Sequence, residues 1–302
     1  MSKIQTVLNN PKALFYGLGS RGYLRSLPDK LYLKMMYYLK MGKKLDLKNP
    51  LTFNEKLQWL KLYDRKSEYT KLVDKYEVRK YISDNIGEKY LIPMIAVYDS
   101  IDEIQWDKLP DQFVLKCTHG SHSNIICSDK DKLDIDVAKM KLNKWMKMNW
   151  FWLGREWPYK NVKPRIIAEQ FMKDDKEPDL KDYKFMCFNG EVKCCFVCAE
   201  RDEQAKAKII VYDKNWELME IGRDQVYHTA VPKPHTYDKM LELATKLSKD
   251  IPFARIDFYE INGQLYFGEI TFFPAMGMTR FTPESADELL GSWIDLSKIK
   301  EH

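Results

Sequence analysis

The sequence predicts an α+β protein in which a helix-rich N-terminal region precedes mixed strands and helices. Residues 28–85 carry helix-opening signals and apolar stripes at helical spacing, whereas from Tyr90 onward short apolar, β-branched runs alternate with turns. Helical patterns at 136–150 and 235–248 then fall among these strand-like runs without strict β-α repetition.

Pro28 and Asp29 open the first helix, along which Leu33, Met36, Tyr37 and Lys40 form one stripe. The basic, aromatic run from Lys30 to Lys40 also suits an amphipathic helix on an anionic membrane surface, but such stripes are more often core packing, and core packing is expected. In the next helix Thr52 is followed three residues later by Glu55, a capping box in which Glu reaches back to the N–H of the cap residue. Its stripe is Leu57 and Leu60 with Trp59 and Leu62. A further helix is expected from about Lys71 to the Asn85-Ile86-Gly87 stop, because Asn and Gly readily take a left-handed cap.

Strands are expected at 91–98, 113–117, 125–127, 165–169, 183–189, 191–199 and 209–212. Asn189-Gly190 between two such runs is a two-residue hairpin signal, since both turn positions must accept positive φ. Ile261-Asn262-Gly263 gives a second hairpin, between 255–260 and 264–270.

At 302 residues, 45% hydrophobic and 31% charged, the chain can bury a real core and falls outside the disordered, collagenous and membrane classes. No run reaches the roughly 20 apolar residues of a bilayer span, and the N-terminal stretch lacks the apolar segment and cleavage site of a secretory signal. A cytoplasmic location follows as the expectation, with peripheral association at the inner face of the membrane as its variant. A net charge of +5, spread among alternating acids and bases, implies no nucleic acid. Cys117, Cys127, Cys187, Cys194, Cys195 and Cys198 lack the spacing of a disulfide-stapled module and are expected reduced.

The most informative stretch is Ala254 to Glu260 with its hairpin partner Gln264 to Thr271. Residues two apart on a strand share a face, so Arg255, Asp257 and Tyr259 point one way, as do Glu269 and Thr271 on the partner. Antiparallel pairing would gather two carboxylates, a hydroxyl and a guanidinium. Mg²⁺ takes one or two carboxylates plus substrate phosphates, and Arg offers a planar fork to phosphate oxygens, so the set reads as a phosphoryl-transfer site. The bland alternative is an ordinary solvent-facing sheet surface, favoured if the hairpin stood alone. Phe113 to Lys116, however, ends a strand in a cation, and Cys117 to Asn124 follows as a small-residue loop able to bring backbone N–H groups to phosphates. It lacks the Gly-Lys-Ser/Thr helix opening of a Walker loop, and a plain β-turn fits that segment equally well. Arg165 to Met172 reads as a strand entering a hinge between lobes, and Asp182-Tyr183-Lys184 starts the next lobe.

Taken in order, the Lys-ended strand, small-residue loop, Glu-bearing hinge, Arg-x-Asp hairpin and closing Glu-x-Thr-x-x-Pro resemble the ATP-grasp superfamily. Asn49 to Lys61, Leu115 to Ser121, Asp182 to Phe185 and Arg255 to Tyr259 resemble its TupA-like branch, associated with teichuronopeptide and polysaccharide biosynthesis. The resemblance runs from about Pro28 to Pro283. It implies an ATP-grasp fold of two α+β lobes enclosing a nucleotide, divided as 1–98 (helix-rich), 99–172 (nucleotide-covering lobe) and 173–302 (lobe with the magnesium site).

The resemblance also implies roles. Lys116 matches the phosphate-binding Lys, Thr118, His119, Gly120 and Ser121 belong to the matching phosphate-covering loop, and Lys75 stands where relatives place a second phosphate-contacting Lys. Glu169, Gln170, Phe171 and Met172 match the adenine-facing hinge, with Asp182 and Lys184 near ribose and phosphates. Asp257 and Glu269 match magnesium ligands and Arg255 the cation that steadies an acyl-phosphate. Where many relatives have Asn as a further ligand, this chain has Thr271, which offers a hydroxyl instead.

Other motifs carry less. The Cys-x-x-Cys at 195–198 lacks the second pair usual in a structural zinc site, and buried strand cysteines are the expectation. Asp129-Lys130-Asp131 has the spacing of a glycosyltransferase metal motif, common by chance in charged loops. His119 and His122 either contact substrate or cap the turn. Trp150, Trp152 and Trp157 with Phe151 and Tyr159 suit sugar stacking or, more commonly, core or lid packing. The functional expectation is an ATP- and Mg²⁺-dependent ligase joining a carboxylate-bearing sugar or polysaccharide precursor to an amino acid or amine. The alternatives are a glycosyltransferase of cell-surface polysaccharide and a non-catalytic nucleotide-binding protein.

Overall fold

The computed structural model describes residues 11–177, 180–201 and 207–299; the first ten residues, part of the stretch expected to hold no leader, lie outside them. Helices α1 (Pro11–Ser20), α2 (Asp29–Met41), α3 (Phe53–Tyr63), α4 (Tyr69–Val73) and α5 (Val78–Asn85) come first. Strands β1 (Met94–Tyr98), β2 (Phe113–Cys117) and β3 (Asn124–Cys127), helices α6 (Ile135–Met146) and α7 (Phe151–Gly154), and strand β4 (Ile166–Gln170) follow. The remainder comprises β5 (Asp182–Phe188), β6 (Glu191–Arg201), β7 (Ala207–Asp213), β8 (Gly222–Arg223), α8 (Tyr237–Leu247), β9 (Phe253–Ile261), β10 (Gln264–Thr271), β11 (Phe281–Thr282) and α9 (Ser285–Ser292). The α+β expectation holds. Among the described residues no helix is long and apolar enough to cross a membrane.

The chain divides into two compact units, Met1–Asn49, Gln58–Val78 and Met94–Phe171 in the first and Pro50–Leu57, Arg79–Pro93 and Met172–His302 in the second. The first unit holds an antiparallel sheet in the order β1-β4-β2-β3. Strand alternation turns Phe113, Leu115 and Cys117 into a core shared with Ile125, Ile166, Ala168 and, from α6, Ala138 and Leu142. Lys116 is thereby left on the opposite face. The stripe of α2 is buried at Leu33, Met36 and Tyr37, as expected of core packing, and Tyr32 donates to the Leu153 carbonyl at 2.8 Å.

The second unit is built on an antiparallel sheet in the order β10-β9-β5-β6-β7. Met240, Leu243, Ala244 and Leu247 of α8 are buried, and the helix packs against β5, β6 and β9, with the Tyr237 ring 5.6 Å from that of Phe185. Phe53, Phe188, Phe253 and Trp293 form a further aromatic cluster. Here the capping box closes as read: Glu55 N–H donates to Thr52 Oγ1 and Thr52 N–H to Glu55 Oε2, both at 3.2 Å. Both hairpins take the positive φ they require, 50° and 83° at Asn189 and Gly190, and 51° and 76° at Asn262 and Gly263.

Three boundaries depart from expectation by more than two residues. The helix expected from Lys71 to Asn85 is broken at Asp74, whose Oδ1 accepts the Tyr76 N–H at 2.9 Å and so competes with the helical ladder. The strand expected from Leu91 begins only at Met94, after a 3₁₀ turn at Glu88–Tyr90 and the donor-less Pro93. The helix expected to reach Trp150 stops at Met146, and Asn149 accepts the Phe151 N–H at 3.0 Å at the start of α7.

Candidate active site

One face of the second unit's sheet carries nearly all of its predicted chemistry. Antiparallel register sets Glu269 opposite Asp257, Asp257 opposite Lys184 and Thr271 opposite Arg255. Tyr259 shares that face and lies beside Asp182; burial, reinforced by the Asp182 carboxylate, holds its hydroxyl protonated. The pairing of Glu269 with Asp257 depends on a bulge. From Gln264 to Phe267 the register would oppose Asp257 with Gly268, but it shifts between Phe267 and Glu269 so that Glu269 takes that place. A Cβ on Gly268 would lie 3.0 Å from the Tyr259 ring and 3.1 Å from the Asp257 carbonyl oxygen, so this close approach suits Gly.

The charges interlock. Arg255 donates from Nε to Asp257 Oδ1 and from Nη2 to Asp257 Oδ2, each at 2.7 Å, and the same Nη2 donates to Glu269 Oε1 at 2.7 Å. Lys184 Nζ donates to Asp257 Oδ2 at 2.7 Å, and Thr271 Oγ1 to Glu269 Oε1 at 2.9 Å. Burial opposes the Arg255 and Lys184 charges, but the carboxylates beside them outweigh it and hold both pKa values above their ordinary range. Asp257 is 1% exposed and therefore depends on this pairing.

The donor set suits a hard cation. Two carboxylates and a hydroxyl share one face, yet among the described residues no cluster of three or more His, Cys, Asp or Glu forms a self-sufficient metal site. Two carboxylates with a hydroxyl fit Mg²⁺, which takes one or two carboxylates together with substrate phosphates.

The first unit holds a second constellation. Lys116 on β2 pairs with Glu169 on β4, Nζ to Oε2 at 2.7 Å, with Glu169 buried. Lys75 reaches the Gly120 carbonyl, and its own N–H donates to the Thr118 carbonyl at 3.2 Å. The 118–123 loop is more enclosed than a bare turn: Thr118, His119 and Ser123 are buried, and Gly120 lies against the Trp150 indole, where a Cβ would meet Nε1 at 1.7 Å. His119 Nε2–H donates to the Trp145 carbonyl at 3.0 Å, tying the loop to the last turn of α6. Burial, more than the opposing hydrogen bond, lowers its pKa and keeps it neutral. Ser121 and the exposed His122 form the outward tip. Gln170 ends β4, and Phe171 and Met172 continue as non-repetitive chain.

The discounted motifs are accounted for locally. All six cysteines are free and buried, with Cys194, Cys195 and Cys198 on β6. Asp129 accepts the Asp131 N–H at 3.1 Å and pairs with Lys132 at 2.7 Å, closing its own turn. Sequence motifs do not single out Arg223 of β8, a half-buried residue whose charge burial and Arg255 disfavour and Cys198 and Asp224 favour.

The family model described as TupA-like ATPgrasp matches residues 55–295, a span that takes in Lys75 through Thr271. The chain belongs to the TupA-like ATP-grasp family. This ATP-grasp chain matches no curated protein sequence. Among solved structures it is similar to D-alanine–D-alanine ligase from Bacillus anthracis complexed with ATP, at 16% identity over 74% of this chain and 64% of that one, TM-score 0.46. It is also similar to ATP-grasp ligase PsnB complexed with a phosphomimetic variant of minimal precursor, Mg and ADP, at 8% identity over 76% and 61%, TM-score 0.42. A third likeness is to N5-carboxyaminoimidazole synthase from Aspergillus clavatus in complex with ADP and 5-aminoimidazole ribonucleotide, at 15% identity over 67% and 44%, TM-score 0.37. The ATP-grasp chain thus spans less than two thirds of the length of these three proteins.

Proposed function

We propose that this protein is an ATP- and Mg²⁺-dependent carboxylate–amine ligase that modifies a uronic acid or polysaccharide precursor with an amino acid or amine. The observation that carries the reading is the Asp257–Glu269 pair with Arg255 bonded to both carboxylates on one sheet face. Membership of the TupA-like ATP-grasp family supports it. The division into residues 1–98, 99–172 and 173–302, and a cytoplasmic or peripheral location at the membrane's inner face, belong to the same proposal.

Asp257, Glu269 and Thr271 would hold Mg²⁺, which when bound offsets negative charge on phosphate oxygens. Lys116, Lys75 and the Thr118–Ser121 loop take the phosphates of ATP, Glu169 to Met172 the adenine, and Asp182 and Lys184 the ribose and phosphate edge. The acceptor carboxylate oxygen attacks the γ-phosphorus, and the bond to the bridging oxygen breaks as ADP leaves with the electron pair. The amine then attacks the acyl carbon, phosphate departs with the carbon–oxygen bonding pair, and the amine proton passes to solvent. Arg255 remains cationic throughout because its carboxylate partners favour the charged form, so it can steady the acyl-phosphate oxygens. Positioning and charge stabilisation suffice, and no side-chain nucleophile is required. A glycosyltransferase reading would need Asp129 and Asp131 as metal ligands, and Asp129 is engaged within its own turn.

The test is ADP release from ATP and Mg²⁺, screened over uronic acids and sugar-nucleotide carboxylates paired with amino acids and polyamines. Glu269→Gln is the control. Turnover that needs both partners and is lost in the variant is the expected result. Absence of ATP binding to the wild type would overturn the ATP-grasp mechanism.

A further inference from the structure

Helix α2 is apolar on two opposite sides. One side, with Tyr32, Leu33, Met36 and Tyr37, is buried, and the Phe15 ring lies 5.1 Å from that of Tyr32. Viewed down the helix, the opposite side gathers Leu31, Met35 and Tyr38, spaced i, i+4 and i+7, and these are 47%, 40% and 59% exposed. Apolar residues scattered over a surface need no explanation, but three aligned on one helix face form a patch that is costly to leave in water. The fold of the first unit does not call for it, since the inward stripe already anchors the helix.

Cations frame the patch. Lys30 and Lys34 stand along its edge, and Lys43, Lys44 and Lys48 follow the end of the helix, all five exposed. Residues 11–49 carry nine Lys and Arg against two Asp, a net +7, so all other residues sum to −2 of the chain's +5. Neither acid does much to offset this concentration. Asp29 turns toward Arg65 and Arg155, accepting from Arg65 Nη2 at 2.7 Å, and Asp46 accepts the Lys48 and Asn49 N–H groups at 2.8 and 3.0 Å.

We propose that the outward face of α2 docks on an anionic lipid bilayer, with Leu31, Met35 and Tyr38 entering the boundary of the acyl chains and the lysines meeting headgroup phosphates. Tyr38 suits that boundary, since its ring is apolar and its hydroxyl polar. A protein partner is the poorer match, because protein interfaces are depleted in lysine whereas lipid phosphates attract it. A nucleic acid would meet the charge and leave the apolar residues in water. The inference rests on the peripheral location proposed above and is independent of the ligase chemistry.

The test is flotation of the full chain with vesicles of phosphatidylglycerol mixed with phosphatidylcholine, against vesicles of phosphatidylcholine alone. Wild type is expected to float with the anionic vesicles, to stay off the neutral ones and to be released by high salt. Leu31→Gln, Met35→Gln and Tyr38→Gln combined should weaken binding on the order of tenfold or more, and Lys30→Gln with Lys34→Gln by a similar factor, each with an unchanged thermal midpoint. An environment-sensitive fluorophore on Met35→Cys gives a second readout, and its emission should shift to the blue when anionic vesicles are added. Equal flotation of the wild type and the apolar triple variant, equal flotation on neutral vesicles, or emission unmoved by vesicle binding would overturn the α2 face and leave the peripheral location standing. Wild type that stays off both kinds of vesicle would sink the two together. Self-association lost in the triple variant, without flotation, would assign the face to a second copy and overturn the proposal as well. AMPPNP affinity measured alongside reports on the ligase reading separately.

Discussion

Asp257 and Glu269 face one another across β9 and β10 because the chain bulges at Gly268, between Phe267 and Glu269. Without that shift Glu269 would fall opposite Ile256, which is buried on the other side of the sheet. Gly268→Ala forces a methyl group against the Tyr259 ring and the Asp257 backbone. We expect it to lower stability by about 1–3 kcal/mol, as overpacking does, and to raise the Mg²⁺ concentration needed for turnover. Urea unfolding and a Mg²⁺ activation curve measure the two effects. Wild-type values in both would mean that the bulge does not set the carboxylate pair.

How much of this was legible follows from what each residue type can announce. Asn189-Gly190 and Asn262-Gly263 announce their turns because few other pairs accept positive φ twice, and alternation then assigns Asp257 and Glu269 to strand faces. The exchange of Glu269 for Gly268 opposite Asp257 is a register event, and a lone glycine in a strand signals only that a bulge or close approach is present. The break at Asp74 was hidden for a related reason: the residue fits a helix by pattern, and its turn is made by side-chain acceptance of the Tyr76 N–H.

Lys116 and Glu169 form an ion pair whose lysine the ligase reading assigns to ATP phosphates. Lys116→Met should weaken ATP binding on the order of tenfold to a hundredfold, the worth of a hydrogen bond to a charged group at about 1.5–3 kcal/mol. It should also reduce stability, because buried Glu169 loses that ammonium. Direct nucleotide titration separates the effects, and an unchanged ATP dissociation constant would remove Lys116 from the phosphate site.

Arg255 spans Asp257 with two donors and shares one of them with Glu269, a geometry that a lysine ammonium cannot reproduce. Arg255→Lys should therefore lower kcat by a factor on the order of 10²–10³, as loss of an oriented donor does, with ATP affinity within about threefold of wild type. Single-turnover kinetics alongside ATP titration checks it. A variant that loses ATP binding in proportion to kcat would mark Arg255 as a structural tie.

His119 yields a prediction about pH. Burial is the largest influence on its pKa and lowers it; the hydrogen bond to Trp145 opposes and the nearby Lys75 charge reinforces the shift. In the unfolded chain a histidine titrates at about 6.5. Above that pH the ring is neutral in both states and its contribution to stability is complete. As pH falls through that value the unfolded chain takes up the proton first, so stability drops until pH passes the lower, folded value. Gln in place of His119 keeps a donor for the Trp145 carbonyl and removes the titration. The wild type should exceed His119→Gln in urea midpoint at pH 7.5, and that margin should shrink as pH is lowered to 5.5, because the carboxylates titrate in both proteins and cancel. A margin constant across that range would mean that the loop opens to solvent readily enough for His119 to protonate without cost.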